Sequence, residues 1–125
     1  MENKVGVSVV IPVFNEKGTL ISLHEQLTEV LSLTPQGYQI IFVDDGSLDD
    51  SYQVLSGINH RDSHVQVLRL FRNFGQHQAM MAGFEHASGD VVVTMDADLQ
   101  HPPQIIPRLL EKIAQGYNVV CTSRK

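Results

Sequence analysis

The sequence predicts an α/β fold: an open, mostly parallel sheet with helices on both faces. Three observations predict it. Short apolar runs rich in β-branched residues recur along the chain. Segments with apolar residues three and four apart lie between them. Strand and helix therefore alternate as βαβαβαβαβ, the order that demands crossover connections and a parallel sheet. In such sheets ligands bind beyond the carboxyl ends of the strands. Here those ends read PVFNE, VDDGS, MDADLQ and TSRK, so polar groups gather at one edge.

Each element follows from its residues. VGVSVVIPVF (Val5 to Phe14) is a buried strand. Leu20, Leu23, Leu27, Val30 and Leu31 then share one helical face, and Pro35 and Gly37 punctuate its end. QIIFVDD is a second strand ending at Asp44 and Asp45, with Gly46 and Ser47 turning the chain. SLDDSYQVLSGI is a helix whose start carries acids, where the dipole favours them and where Asp49 or Ser47 can cap it. HVQVLRLF is a third strand, GQHQAMMAGFEHASG a helix ending at Gly89, and DVVVTM a fourth strand. Pro102 and Pro103 suit the first turn of a helix that carries Ile105, Ile106, Leu109, Leu110 and Ile113 inward and stops at Gly116. NVVCTS is a fifth strand, followed by Arg124 and Lys125.

The 125 residues suffice for one domain. With 42% hydrophobic and 18% charged residues the chain is globular, not disordered. A net charge of −5 with no basic stripe argues against nucleic acid. The single cysteine, Cys121, cannot form an internal disulfide and reads as a buried, inert thiol in a reducing compartment. No signal-peptide pattern or membrane-length apolar run is present, so a soluble, cytoplasmic chain is expected.

The acids carry the chemistry. Asp96 and Asp98 project to the same side of an extended segment. Adjacent anions repel, and a hard divalent ion such as Mg²⁺ or Mn²⁺ is their natural partner. Gln100 and His101 are close enough in sequence to contribute. The plain alternative is that Asp98 caps the next helix. Asp44, Asp45 and Glu16 also stand at strand ends, where a carboxylate can accept a nucleobase N–H or a ribose hydroxyl. Three acidic strand ends suit a polyhydroxy, phosphate-bearing ligand better than capping alone. Neither G-x-G-x-x-G nor a P-loop is present, which disfavours those solutions, and a metal together with Arg124 is an alternative way to hold a diphosphate.

VSVVIPVFNE, VDDGSLDDS, GDVVVTMDADLQHPPQ and TSR, in that order, resemble the family 2 glycosyltransferases with the GT-A fold. The likeness runs from about Val7 to Arg124. DADLQHPPQ and RNFGQHQAMMAGFEHASGD are similar to the polyprenyl-phosphate branch, which includes dolichol-phosphate mannosyltransferases. The second stretch is especially similar to bacterial enzymes that place formamidoarabinose or glucose from UDP-sugars onto undecaprenyl phosphate.

The resemblance implies a Rossmann-like nucleotide-binding half of a GT-A fold and an inverting transfer from a nucleotide-sugar donor to a polyprenyl-phosphate acceptor. It implies that Pro12, Phe14 and Glu16 line the nucleoside pocket and that Asp45 accepts the base N–H. Asp96 would touch ribose and the outer shell of the metal, Asp98 would bind the metal, Gln100 would complete the shell and Arg124 would meet the diphosphate. The loop from Arg72 to Gln78 would lie over the base. Family members continue past this point into the acceptor side and often into membrane helices. Residues 1–125 are therefore expected to be a C-terminally truncated donor part, with the whole protein at the inner face of the cytoplasmic membrane. A core left uncovered there would promote self-association.

Other readings compete. A sugar-nucleotide-binding module would bind without turnover. A haloacid-dehalogenase-type phosphotransferase also uses D-x-D with Mg²⁺, but on its first strand. A response-regulator receiver places its acids after the first strand. Of the histidines, His60 and His64 read as surface, His24 and His86 as solvated helix positions, and His77 as a loop residue near the base pocket. Met80 and Met81 read as core filler, and Arg69, Arg72 and Arg61 as solvated.

Overall fold

The computed structural model describes residues 5–100 and 102–114. The expected fifth strand, Gly116, Cys121, His101 and Arg124 lie outside the described residues. Among the described residues four parallel strands form the sheet: β1 (Val5–Val13), β2 (Tyr38–Asp44), β3 (Val65–Arg69) and β4 (Gly89–Thr94), in the order β3-β2-β1-β4. Between them run α1 (Leu20–Leu31), α2 (Ser51–Arg61) and α3 (Gln76–His86). A 3-10 turn (Pro103–Ile105) leads into α4 (Ile106–Ala114). The register sets Val13 beside Asp44 and Asp44 beside Arg69, so β1, β2 and β3 end level, while β4 ends at Thr94 beside Val10, three residues short of the end of β1.

Topology decides which face each helix covers. The chain steps outward from β1 to β2 to β3, then returns across the sheet to β4. Right-handed crossovers put α1 and α2 on one face and α3 on the other. The packing agrees. Val9, Ile11, Ile40 and Phe42 join Leu20, Leu23, Leu27, Leu55 and Ile58 in one cluster. Val10, Ile41 and Val43 pack with Ala79 in a second. Alternation along β1, β2 and β3 divides their side chains between the two clusters, while β4 gives Val91 and Val93 to the first and leaves Val92 exposed. Ile106 buries against the first cluster, as the helical spacing predicts.

Three expectations need correction. Met81 is exposed, because α3 turns Ala79 and Gly83 toward the sheet. His24 is not solvated: its Nε2 lies 2.7 Å from Asp62 Oδ2, and its side chain is 14% exposed. α2 begins at Ser51 rather than Ser47, with Asp49 Oδ1 accepting the Ser51 N–H at 2.9 Å. The N-cap is therefore Asp50, which makes no side-chain cap bond, and Asp49 forms an Asx turn ahead of the helix rather than the expected cap.

Candidate functional site

The strand order places the crevice. The chain leaves β1 toward β2 on one side and arrives at β4 on the other, so a topological switch point lies between β1 and β4. A cleft of about 400 Å³ opens there. Pro12, Phe14, Glu16, Asp45, Asp96 and Asp98 all line it. The sequence thus identified residues from three separate strand ends that the fold brings together. Asn73, Gly75 and Gln76 complete the wall. Gln100 is exposed on the adjoining turn, and Arg124 lies outside the described residues.

Asp45 is 3% exposed and already engaged. Its Oδ1 accepts the Phe74 N–H at 2.8 Å, and its Oδ2 accepts the Gly75 N–H at 3.0 Å and Asn73 Nδ2 at 3.2 Å. A carboxylate has about four acceptor positions, so one stays available for a ligand donor. The loop crosses close over Gly46, whose φ is +71°. A Cβ there would stand 2.3 Å from the Arg72 carbonyl carbon. Only glycine accommodates both the left-handed backbone and that approach. Asp44 turns the other way. It is fully buried, with Arg69 Nε 4.0 Å from its Oδ2, and among the described residues neither oxygen has a hydrogen-bond partner. Arg69 lies over the Tyr52 ring, 4.0 Å from its centroid, and Arg72 over Phe74 at 4.1 Å. Neither guanidinium lines the cleft.

The segment after β4 is held from both sides. Gln76 Nε2 donates to Asp96 Oδ1 at 2.9 Å. The Thr19 hydroxyl donates to the Ala97 carbonyl at 2.6 Å, and the Glu16 carbonyl and carboxylate lie within its reach. Asp98 Oδ1 accepts the Gln100 N–H at 3.1 Å across Leu99, which has a φ of +63°. Asp98 therefore makes an Asx turn rather than a helix cap. Asn15, at φ +55°, closes the rim. Its Oδ1 accepts the Leu48 N–H at 2.8 Å, and its own N–H donates to Ser47 Oγ at 3.0 Å. Asp49 receives the Ser51 and Lys17 N–H groups. Slight burial acts to raise its carboxyl, but these bonds and the Lys17 charge hold it below the ordinary value.

Sequence reasoning did not find Thr19, Asn15 or Ser51 as site supports, and it reached Gln76 only as part of the loop over the base. Their partners are 78, 33, 35 and 20 residues distant in the chain, so no local signal marks them. Asn directly after a strand was the one available hint, since Asn tolerates the left-handed region.

The electrostatics are one-sided. Four of the lining side chains are carboxylates (Glu16, Asp45, Asp96, Asp98), and among the described residues that line the cleft none is basic. Among the described residues no group of three His, Cys, Asp or Glu can hold a metal ion. Two carboxylates on one turn still fit a Mg²⁺ or Mn²⁺ site of the kind completed by phosphates and water. A cleft so charged repels a phosphate-bearing ligand that arrives without a cation.

A family model for glycosyl transferase family 2 matches residues 8–125. The chain is 50% identical over 119 residues to the undecaprenyl-phosphate 4-deoxy-4-formamido-L-arabinose transferases of Yersinia pestis and Yersinia pseudotuberculosis. That match covers 94% of this chain and 36% of each relative, so the chain spans about a third of their length. Among solved structures, Staphylococcus aureus TarS superposes with a TM-score of 0.74 at 18% identity, over 95% of this chain and 39% of TarS. Glucosyl-3-phosphoglycerate synthase from Mycobacterium tuberculosis, in complex with Mn²⁺, UDP and glucosyl-3-phosphoglycerate, superposes at 0.72 and 24% identity. That match covers 92% of this chain and 42% of the synthase. At these identities the structural matches establish the fold.

Proposed function

The chain belongs to glycosyl transferase family 2, and from that premise we propose that residues 1–125 form the donor-binding part of an inverting transferase. It would move a sugar from a UDP-sugar to a polyprenyl phosphate. The observation that carries the reading is the cleft at the switch point. Carboxylates from the ends of β1, β2 and β4 converge there beside Pro12 and Phe14, and among the described residues that line the cleft none is basic. The names of the Yersinia relatives support the undecaprenyl-phosphate acceptor. The Mn²⁺ and UDP complex of the mycobacterial synthase supports the ion and the base.

In this reading Pro12, Phe14 and Glu16 line the nucleoside pocket. Asp45 offers its remaining acceptor position to the base N–H, held in place by the loop that it fastens. Asp96 and Asp98 hold Mg²⁺ or Mn²⁺, with Gln100 beside them and Arg124 assigned to the diphosphate. When bound, the ion supplies charge neutralisation for the departing nucleoside diphosphate. The acceptor phosphate oxygen attacks the anomeric carbon as the bond to the diphosphate breaks on the opposite face, giving inversion. A phosphate is already anionic and needs little general-base help.

Calorimetric titration of UDP and GDP, with and without Mn²⁺, tests the reading. UDP is expected to bind only with Mn²⁺, GDP not to bind, and Asp98→Ala to abolish the heat. GDP in place of UDP would reassign the base. Binding of neither nucleotide by the wild type would overturn the donor-site reading.

A further inference from the structure

We infer that Gln76 is a positioning residue that sets the Asp96 carboxylate for a divalent cation; this rests on the donor-site reading above. Gln76 opens α3, on the far side of the cleft from the turn after β4. Its Nε2–H donates to Asp96 Oδ1 at 2.9 Å, so one side-chain bond bridges the two walls. Gln76 is itself fixed in place. The two preceding amides are tied to Asp45, and the Gly75 carbonyl accepts the Ala79 N–H at 3.1 Å, the first turn of α3. Gly75 has a φ of +104°, which aims the start of the helix back at the cleft.

The chain of contacts therefore runs from Asp45, just after β2, through residues 73–75, to Gln76 and on to Asp96 beyond β4. It joins the carboxylate assigned to the base with a carboxylate assigned to the metal.

The chemistry of the donor matters. An amide fixes the plane of a carboxylate but leaves its charge intact for a cation. A lysine or arginine in that place would compete with the cation for the same charge. An outer partner that orients a metal-binding side chain typically contributes 10- to 100-fold in metal affinity. Gln76 is exposed, so packing supplies little of its role.

The test is the Mn²⁺ concentration that half-saturates UDP binding to the wild type and to Gln76→Met, and the UDP affinity of each at saturating Mn²⁺, beside the thermal midpoint. Gln76→Met keeps the length and removes the donor. It is expected to need about 10-fold more Mn²⁺ for half-saturation, with UDP affinity restored once Mn²⁺ saturates and an unchanged midpoint. A wild-type Mn²⁺ requirement in Gln76→Met would overturn the assignment while leaving the donor-site reading standing. A loss of UDP affinity that saturating Mn²⁺ does not restore would also overturn it, by showing that Gln76 touches the nucleotide itself. Wild-type protein with no Mn²⁺-dependent UDP binding would remove the donor-site reading and the inference together.

Discussion

Asp45 shows how one side chain can serve the fold and the site together. Its two oxygens hold two backbone N–H groups and one side-chain amide, all from the loop that walls the cleft. Replacing it by Asn turns one acceptor into a donor that faces N–H groups. Hydrogen bonds to a charged acceptor contribute about 1.5–3 kcal/mol, and an unsatisfied buried donor costs a similar amount. Asp45→Asn is therefore expected to destabilise the protein by about 2–4 kcal/mol in urea unfolding and to weaken UDP binding as well. A variant with wild-type stability would show that the loop is held by other contacts. The acid itself was legible in VDDGS, but its engagement with residues 73–75 was not, because those partners are 28–30 positions away.

At the scale of elements, the end of α2 is clasped away from the cleft. Asp62 follows α2, and its carboxylate meets His24 on α1 at 2.7 Å and His64 at the start of β3 at 3.0 Å. His64 also stacks on Tyr38, with ring centroids 4.1 Å apart. Burial acts to raise the Asp62 carboxyl. Hydrogen bonds from the His24 ring and from the backbone and ring of His64, with the His24 charge, outweigh that and hold it below the ordinary 3.8. A carboxyl depressed in the folded state contributes stability that is fully present above its unfolded value. That contribution is lost as pH falls through the folded value. Urea midpoints of the wild type and Asp62→Asn should therefore differ most at neutral pH and converge below about pH 4. A gap that is unchanged at pH 3 would assign the clasp to shape rather than charge. The sequence showed α1, α2 and β3 by their periodicity, yet it offered His24 as solvated, because helical position alone does not reveal an acid 38 residues on.

For the whole molecule, the cleft sits where β1, β2 and β3 end level, β4 stops short of them, and the strand order reverses at β1. Among the described residues no helix is long and apolar enough to cross a membrane. A ligand that binds only the folded state raises its stability by mass action. UDP at about 100 times its dissociation constant, with Mn²⁺, should add about 2.7 kcal/mol to the unfolding free energy. UDP without Mn²⁺ should add nothing, and a thermal shift that ignores the metal would argue against the paired-carboxylate site. What the sequence determined by itself was the alternation of strands and helices, the two faces of the sheet and the acidic strand ends, because period and burial are local properties of a chain. The four motifs also carried the family, which the match over residues 8–125 establishes. The tertiary structure alone decided how those acids are held. It turns Asp45 inward and its neighbour Asp44 away, and it sets Thr19 and Gln76 on either side of the Asp96 turn. The physical reason is that alternation sends successive side chains to opposite sides of a strand, while contacts between distant segments depend on how the sheet is wound.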